Sequence, residues 1–289
     1  MTKIIYPLLA GSFRFLGGPV CYLSEDHYLA QINETDFGIV LTTCPGDYRG
    51  VLAGRFRCVY YDADDAISDD QILQNGQLIA FTLNYFSSLD ALYFPFAIKI
   101  EKSGRKSRAL FKFEKQNQVL GSPSALNYRL MQGTTVGELQ KLFSLANAAL
   151  RAAPRARLMI TRFNSALRRS ELEDKIIDLS VALETMLDDT AEISFKLSLY
   201  LAFICQQDKS AAYELFRSFY DVRSRIVHGS LHQQRAQRGV EEIGQRMPEV
   251  IKFSKTAMLY YFSFLSLREP AEWGKHCLGL VLGSEQQIV

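Results

Sequence analysis

The sequence predicts two fold classes in succession, an α+β N-terminal region followed by an all-α helical bundle. Three observations carry this. Residues up to Tyr61 are rich in β-branched and aromatic side chains and are punctuated by Gly, Pro and Asp, the composition of strands and turns. Tyr93–Glu101 and Ser107–Lys115 flank Lys102-Ser103-Gly104-Arg105-Lys106, a β-hairpin signal. From Arg155 onward apolar residues recur at helical spacing and continue to do so. The change falls at Ala152-Ala153-Pro154, which divides the chain into 1–153, α+β, and 154–289, helical.

Taken in order, Phe37–Cys44 and Val51–Tyr61 read as strands. Ser68-Asp69-Asp70-Gln71 is a capping box, and Ile72–Phe86 after it reads as a helix interrupted near Gly76 or as a strand from Leu78. Thr135-Val136-Gly137-Glu138 is a second capping box, opening a helix through Leu150 that Pro154 ends. Leu158–Arg169 is the next helix. Ser170-Glu171-Leu172-Glu173 caps another, with Ile176, Ile177, Leu179, Ala182, Leu183 and Met186 on its apolar side. Asp188-Asp189-Thr190 separates it from Ile193–Cys205. Asp208 caps Ser210–His228, which Gly229 closes. After a polar stretch, Ser230–Gly239, one long final helix is expected over Glu241–Leu267.

Length and composition narrow the function classes. The 289 residues, 48% of them hydrophobic, suffice for a sizeable core. A net charge of +2 is not that of a protein coating nucleic acid, so any such site is a local basic patch. The five cysteines, Cys21, Cys44, Cys58, Cys205 and Cys277, are scattered and form no C-x-x-C pair. With four histidines and no ligand-spaced cluster, reduced thiols and no metal or other cofactor are expected. The apolar run Ile4–Ala10, broken by Pro7, is too short for a signal peptide. No run reaches ~18 residues, and Thr256–Leu267 reads as a buried core helix. A soluble, cytoplasmic protein without membrane contact is expected.

The chemistry-bearing stretch is Phe219-Tyr220-Asp221-Val222-Arg223-Ser224-Arg225-Ile226-Val227-His228-Gly229, a helix end stopped by glycine. It sets an arginine five residues before a histidine. A guanidinium can hold the charge of a phosphorane and an imidazole can move a proton, so the pair suffices to cleave a phosphodiester without a metal. On a regular helix this spacing rotates by ~500°, so the two Cβ directions diverge by ~140°. Convergence then depends on arginine's length, on the departure of His228 from the helix, or on a second protomer across a two-fold axis. Arg225 and His232 make a second arginine–histidine spacing, with His232 read as a solvated loop residue. His27 and His276 lie outside any motif and read as structural.

Three pieces between Arg162 and Gly229 carry a resemblance. Arg162-Phe163 lies in one helix, Asp174-Lys-Ile-Ile-Asp-Leu-Ser-Val-Ala-Leu-Glu184 in the next, and Tyr220-Asp-Val-Arg-Ser-Arg-Ile-Val-His-Gly229 ends a later one. In order and spacing they resemble ApeA-like HEPN domains, in which a helix bearing a Leu-Glu pair precedes a YxxRSxIVHG helix end. The resemblance covers the C-terminal half alone. It implies a four- to five-helix bundle acting as a metal-independent endoribonuclease with an R-x(4–6)-H signature. Two protomers would form one cleft, often in toxin–antitoxin, abortive-infection or antiphage systems. It assigns Arg223 and His228 as catalytic and Ser224 as the polar neighbour, where asparagine, aspartate or histidine is more usual. RNA would be the substrate, a second copy of the chain the first partner, and an antitoxin or regulatory protein a further one. The N-terminal region would then sense a trigger or gate the nuclease.

The surrounding residues leave alternatives open. Glu184 can orient Arg223 from the neighbouring helix or form an ordinary interhelical ion pair, and His228 can simply favour the negative end of its helix. Tyr220 and Phe219 can stack on bases or fill the core, and the Tyr220 hydroxyl is a point where a modifying partner could act. Lys175, Asp178 and Ser180 read as exposed. Between Glu138 and Glu171 there is no acid but there are Lys141, Arg151, Arg155, Arg157, Arg162, Arg168 and Arg169. Between Asp221 and Glu241 stand Arg223, Arg225, Arg235 and Arg238. These segments line either a phosphate groove, with Arg162, Arg168, Arg169, Arg225 and Arg235 as RNA contacts, or solvated helix faces. The competing function is a non-catalytic HEPN-fold nucleic-acid-binding or adaptor protein.

Overall fold

The computed structural model describes residues 2–7, 20–43, 57–87, 96–101, 107–111, 135–187, 192–205, 208–229, 234–286 and 288. They form two compact units, Met1–Ser144 and Leu145–Val289.

The first unit is built on an antiparallel sheet. Its strands are β1 (Thr2–Pro7), β2 (Val20–Tyr22), β3 (His27–Gln31), β4 (Arg57–Ala63), β5 (Phe96–Ile100) and β6 (Ser107–Phe111), in the order β2-β3-β4-β1-β5-β6. β1 is central, with Ile5 opposite Tyr60 on one side and Ile98 on the other. Alternation along β1 sends Ile5 to one face and Ile4 and Tyr6 to the other. The Ile5 face forms a cluster with Ala30, Tyr60, Ile98 and Ile100, into which Val40 of α1 (Glu34–Thr43) packs. On the opposite face lies α2 (Asp69–Tyr85), where the Tyr6 hydroxyl donates to the Ile72 carbonyl at 2.7 Å.

Phe37–Cys44 is not the expected strand: Phe37–Thr43 belong to the helix α1, and Cys44 lies outside the described residues. The β-branched content of this stretch is overridden by a helix start. The Asn33 side chain accepts from the Asp36 amide at 2.8 Å, and Glu34 and Asp36 sit in the first turn, where carboxylates favour the helix N-terminus. Of Val51–Tyr61, the part from Arg57 is β4, and 51–56 lie outside the described residues. Ile72–Tyr85 is helix, and the Ser68–Gln71 box forms in both directions. The hairpin strands pair from Phe96↔Phe111 to Ile100↔Ser107, while 93–95, the tip 102–106 and 112–115 lie outside the described residues.

α3 (Val136–Ala152) is capped reciprocally by Thr135 and Glu138. Beyond it every described element is helical: α4 (Arg155–Arg168), α5 (Leu172–Glu184), α6 (Ile193–Cys205), α7 (Lys209–Val227), α8 (Gln234–Gln245), α9 (Met247–Leu265), a 3₁₀ turn (Pro270–Glu272) and α10 (Trp273–Leu282). Three expectations change. The Ser170 box does not form, because α5 begins at Leu172 with Glu171 as an N-cap that makes no side-chain bond, which puts Ser170 one residue too early. The single helix over Glu241–Leu267 is two helices divided at Arg246. Pro248, in the first turn of α9, lacks the amide a continuous helix would need. Finally, α10 had no counterpart in the expected elements. Asp188-Asp189-Thr190 lies outside the described residues.

α9 supplies much of the second core. Val250, Ala257, Met258, Tyr261, Phe262 and Phe264 are buried, and Trp273 packs edge-on to Tyr261 and Phe264. Thr256–Leu265 is thus a buried core helix, and among the described residues no helix is long and apolar enough to cross a membrane.

Candidate functional site

α7 and α5 together position the Arg223 side chain. Asp208 caps α7 by accepting from the Ala211 amide at 3.0 Å. The helix runs nineteen residues to Val227, with Phe216, Phe219, Tyr220 and Val222 buried. His228 is the C-cap, its amide bonded to the Ser224 carbonyl at 3.0 Å, and Gly229 follows at φ +68°. That left-handed conformation is costly for a residue with a Cβ, so glycine ends the helix where the histidine stands. α8 passes close behind this segment, since a Cβ on Gly239 would come 3.2 Å from Val222 Cγ2.

Arg223 turns towards α5. Its guanidinium lies 3.1–3.2 Å from the Glu184 carboxylate, and its Nε–H points to Ser180 Oγ at 3.4 Å. Ser180 and Glu184 are four residues apart on α5 and so share one face. Arg223 and Glu184 are 28% and 18% exposed, a half-buried pair. Burial pushes the Glu184 carboxyl above its usual value, and the Arg223 charge only partly opposes this. Tyr220, three residues before Arg223, is buried, and its hydroxyl has no hydrogen-bond partner among the described residues. Burial, with the neighbouring Glu184 charge, pushes its phenol well above the ordinary range, while Arg223 acts the other way.

His228 and Ser224 are exposed. Neither a hydrogen bond nor an ion pair links His228 to Arg223 among the described residues. The divergence expected from helical spacing is thus retained: the guanidinium is held against α5, and the imidazole stands at the exposed helix end.

The flanking arginines proposed as RNA contacts are largely committed within the fold. Asp178 Oδ1 accepts from Arg162 at 2.8 Å and Asp178 Oδ2 from Arg169 at 2.7 Å, with Asp174 3.8 Å from Arg169. Arg168 donates to the Asn164 carbonyl at 3.2 Å, and Arg225 pairs with Asp221 at 2.6 Å. The side chains of Arg235 and His232 lie outside the described residues. Asp178 and Ser180, expected to be exposed, are instead buried because they face the arginines of α4 and α7 rather than solvent. Phe219 and Tyr220 are core residues, which removes base stacking by their rings in this conformation.

His27 and His276 are both buried, as structural histidines would be. His27 accepts or donates at Ser24 Oγ at 2.8 Å and stacks on Tyr61, and burial lowers its pKa to about 4. His276 contacts the Tyr260 hydroxyl at 2.8 Å and Glu285 at 3.3 Å. Among the described residues no three His, Cys, Asp or Glu side chains gather into a possible metal site.

Sequence reasoning missed two members of this region. The Ser180–Glu184 spacing signals a face able to hold one guanidinium. The hub role of Asp178 has its signal in the Asp174–Asp178 spacing opposite an acid-free arginine segment. Nothing in the sequence marks the unpartnered Tyr220 hydroxyl. No family model, curated protein or solved structure matches the chain.

Proposed function

We infer that this protein is a metal-independent endoribonuclease of the HEPN type, with Arg223 and His228 as its catalytic pair. The observation that carries the reading is an arginine held half-buried by Glu184 and Ser180 on a helix whose exposed C-cap is His228. In this reaction a ribose 2′-hydroxyl attacks the adjacent phosphorus and the 5′-oxygen leaves. His228 serves as base or acid, the role an imidazole most often takes in proton transfer. Arg223 presents a planar fork of donors to the phosphate oxygens, and Ser224, exposed between them, is the polar neighbour. The products are a 2′,3′-cyclic phosphate and a 5′-hydroxyl, and DNA, lacking the nucleophile, is not cut.

A pair on diverging faces fits a composite cleft, in which a second copy of the chain supplies the complementary histidine. In this reading the helical unit is a defence or toxin-type effector in the cytoplasm, where the buried free thiols of Cys58, Cys205 and Cys277 stay reduced. An antitoxin or regulatory protein is its further partner.

The test is cleavage of RNA by the purified protein in EDTA beside Arg223→Ala and His228→Ala, with DNA as control. RNA-specific cleavage leaving cyclic-phosphate ends and lost in both variants is the expected result. Equal activity in all three proteins would sink the assignment. One observation favours a second reading, a non-catalytic binding or adaptor protein: the Arg223 charge is already matched by Glu184. That reading expects both variants to keep their partner binding and no sample to cleave.

A further inference from the structure

The contact between α5 and α7 contains one group without a purpose in the ground state, the buried hydroxyl of Tyr220. Buried hydroxyls are almost always hydrogen-bonded, so an orphan calls for a physical account. Its surroundings give one. Tyr220 and Arg223 are three residues apart on α7 and so are neighbours on its surface, with Arg223 reaching across to Glu184 and Ser180 of α5. The Glu184 carboxylate, which accepts from Arg223 at 3.1–3.2 Å, is near enough for its charge to act on the phenol. An arginine so held is parked: Nε and Nη2 are turned to Ser180 and Glu184, and a phosphate must compete with the Glu184 carboxylate for the guanidinium. Once the guanidinium leaves, Glu184 becomes a half-buried carboxylate short of a donor, which is unfavourable unless another donor replaces it.

We propose that Glu184 is a latch with two alternative donors, Arg223 in the free protein and the Tyr220 hydroxyl when a phosphate diester draws Arg223 away. This rests on the endoribonuclease reading and deepens it by making Glu184 and Tyr220 positioning residues that set how readily Arg223 reaches RNA. No proton need change hands. Tyr220 stays a phenol that donates, Glu184 stays a carboxylate that accepts, and the guanidinium exchanges one anion for another. The orphan hydroxyl of the free state is then the partner held ready for the bound state. The arrangement lowers affinity for phosphate in the resting protein, since only the fraction with Arg223 released binds tightly.

The latch predicts an effect opposite in sign to that of a structural support. The probe is a fluorescent 2′-O-methyl oligoribonucleotide, which presents phosphates but no nucleophile, followed by anisotropy at low salt. Glu184→Gln removes the competing anion and should tighten binding by about fivefold. Tyr220→Phe removes the replacement donor and should weaken binding by about threefold in the native background, but not in the Glu184→Gln background. The gain from Glu184→Gln should vanish when Arg223→Ala is added. Tyr220→Phe should leave the melting temperature of the free protein unchanged or raised, because the hydroxyl it removes is unpartnered there. Weaker or unchanged binding by Glu184→Gln, or an equal Tyr220→Phe effect in both backgrounds, would overturn the latch while leaving the nuclease reading to its cleavage test. If Arg223→Ala bound the probe as the native protein does and also retained cleavage, the nuclease reading itself would fall, and the latch with it.

Discussion

α5 carries two carboxylates that hold arginines, and they are built differently. Asp178 is 3% exposed and accepts from both Arg162 and Arg169 at 2.7–2.8 Å, so one buried anion is over-matched by two cations. Glu184, less than two turns further along, is 18% exposed and holds the single guanidinium of Arg223 at longer range, beside an unpartnered phenol. The first arrangement fixes α4 against α5, with each Asp178 carboxylate oxygen accepting from its own guanidinium. The second leaves a carboxyl whose protonation burial favours, an arginine with one matched charge, and a donor in reserve. Two arginine–carboxylate contacts of similar appearance in sequence therefore have different uses, one as a strut and one as a movable contact.

The sharpest way to break this comparison is at the chemistry. Arg223→Ala and His228→Ala should each lower RNA cleavage by at least about 10²-fold, the scale of losing a charge-stabilising donor or an acid–base group. Neither Arg162→Ala nor Arg169→Ala should approach that loss in the rate at saturating RNA, since both guanidiniums are paired with the buried Asp178 carboxylate. If Arg169→Ala matched Arg223→Ala in that rate, the division between strut and movable contact would be wrong.

Stability should show the reverse order. Asp178→Asn leaves two guanidiniums facing a neutral amide and should cost about 2 kcal/mol. This is less than the ~3–5 kcal/mol of a broken, fully buried pair, because Arg162 and Arg169 keep some access to water. Urea unfolding of the full chain measures it as a lower midpoint at unchanged slope. Arg225→Ala removes an exposed pair with Asp221 and should cost no more than about 0.5 kcal/mol, so it serves as the baseline. A loss at Asp178 no larger than this baseline would remove its claim to be a strut.

Much of this was legible in the sequence, for reasons specific to each element. The helix end at His228-Gly229 was readable because a left-handed C-terminal residue selects glycine. The caps at Ser68, Thr135 and Asp208 were readable because a side-chain oxygen is needed at those positions. α1 was misread because Phe37 to Thr43 is β-rich by composition, while the deciding signal, Asn33 bonded to the Asp36 amide, lies just before it. The break at Arg246 was missed although Pro248 announces it. At the site, the Leu-Glu pair drew attention to Glu184 as a group that can orient Arg223 or form an ordinary ion pair with it, but could not say how buried it is, and burial raises its carboxyl above the usual value. The engagement of Arg162 and Arg169 by one aspartate depends on how α4 and α5 pack, which no local pattern encodes.

The smallest effect is the most specific to the Glu184 contact. Burial raises the folded-state pKa of Glu184 above the ordinary carboxylate value, and Arg223 offsets only part of this. The folded protein therefore binds this proton more tightly than the unfolded chain. A contribution of that sign is complete below the unfolded pKa and is lost as pH rises through the folded one. Between those two values, acidification should stabilise the native protein relative to Glu184→Gln, which has no proton to gain there. The measurement is the difference in urea midpoint between the two proteins across the acidic range, which cancels the carboxylates they share. A difference that is flat, or that runs the other way, would mean that the Arg223 charge dominates burial. Glu184 would then be a second strut, and the contrast along α5 would reduce to one of exposure.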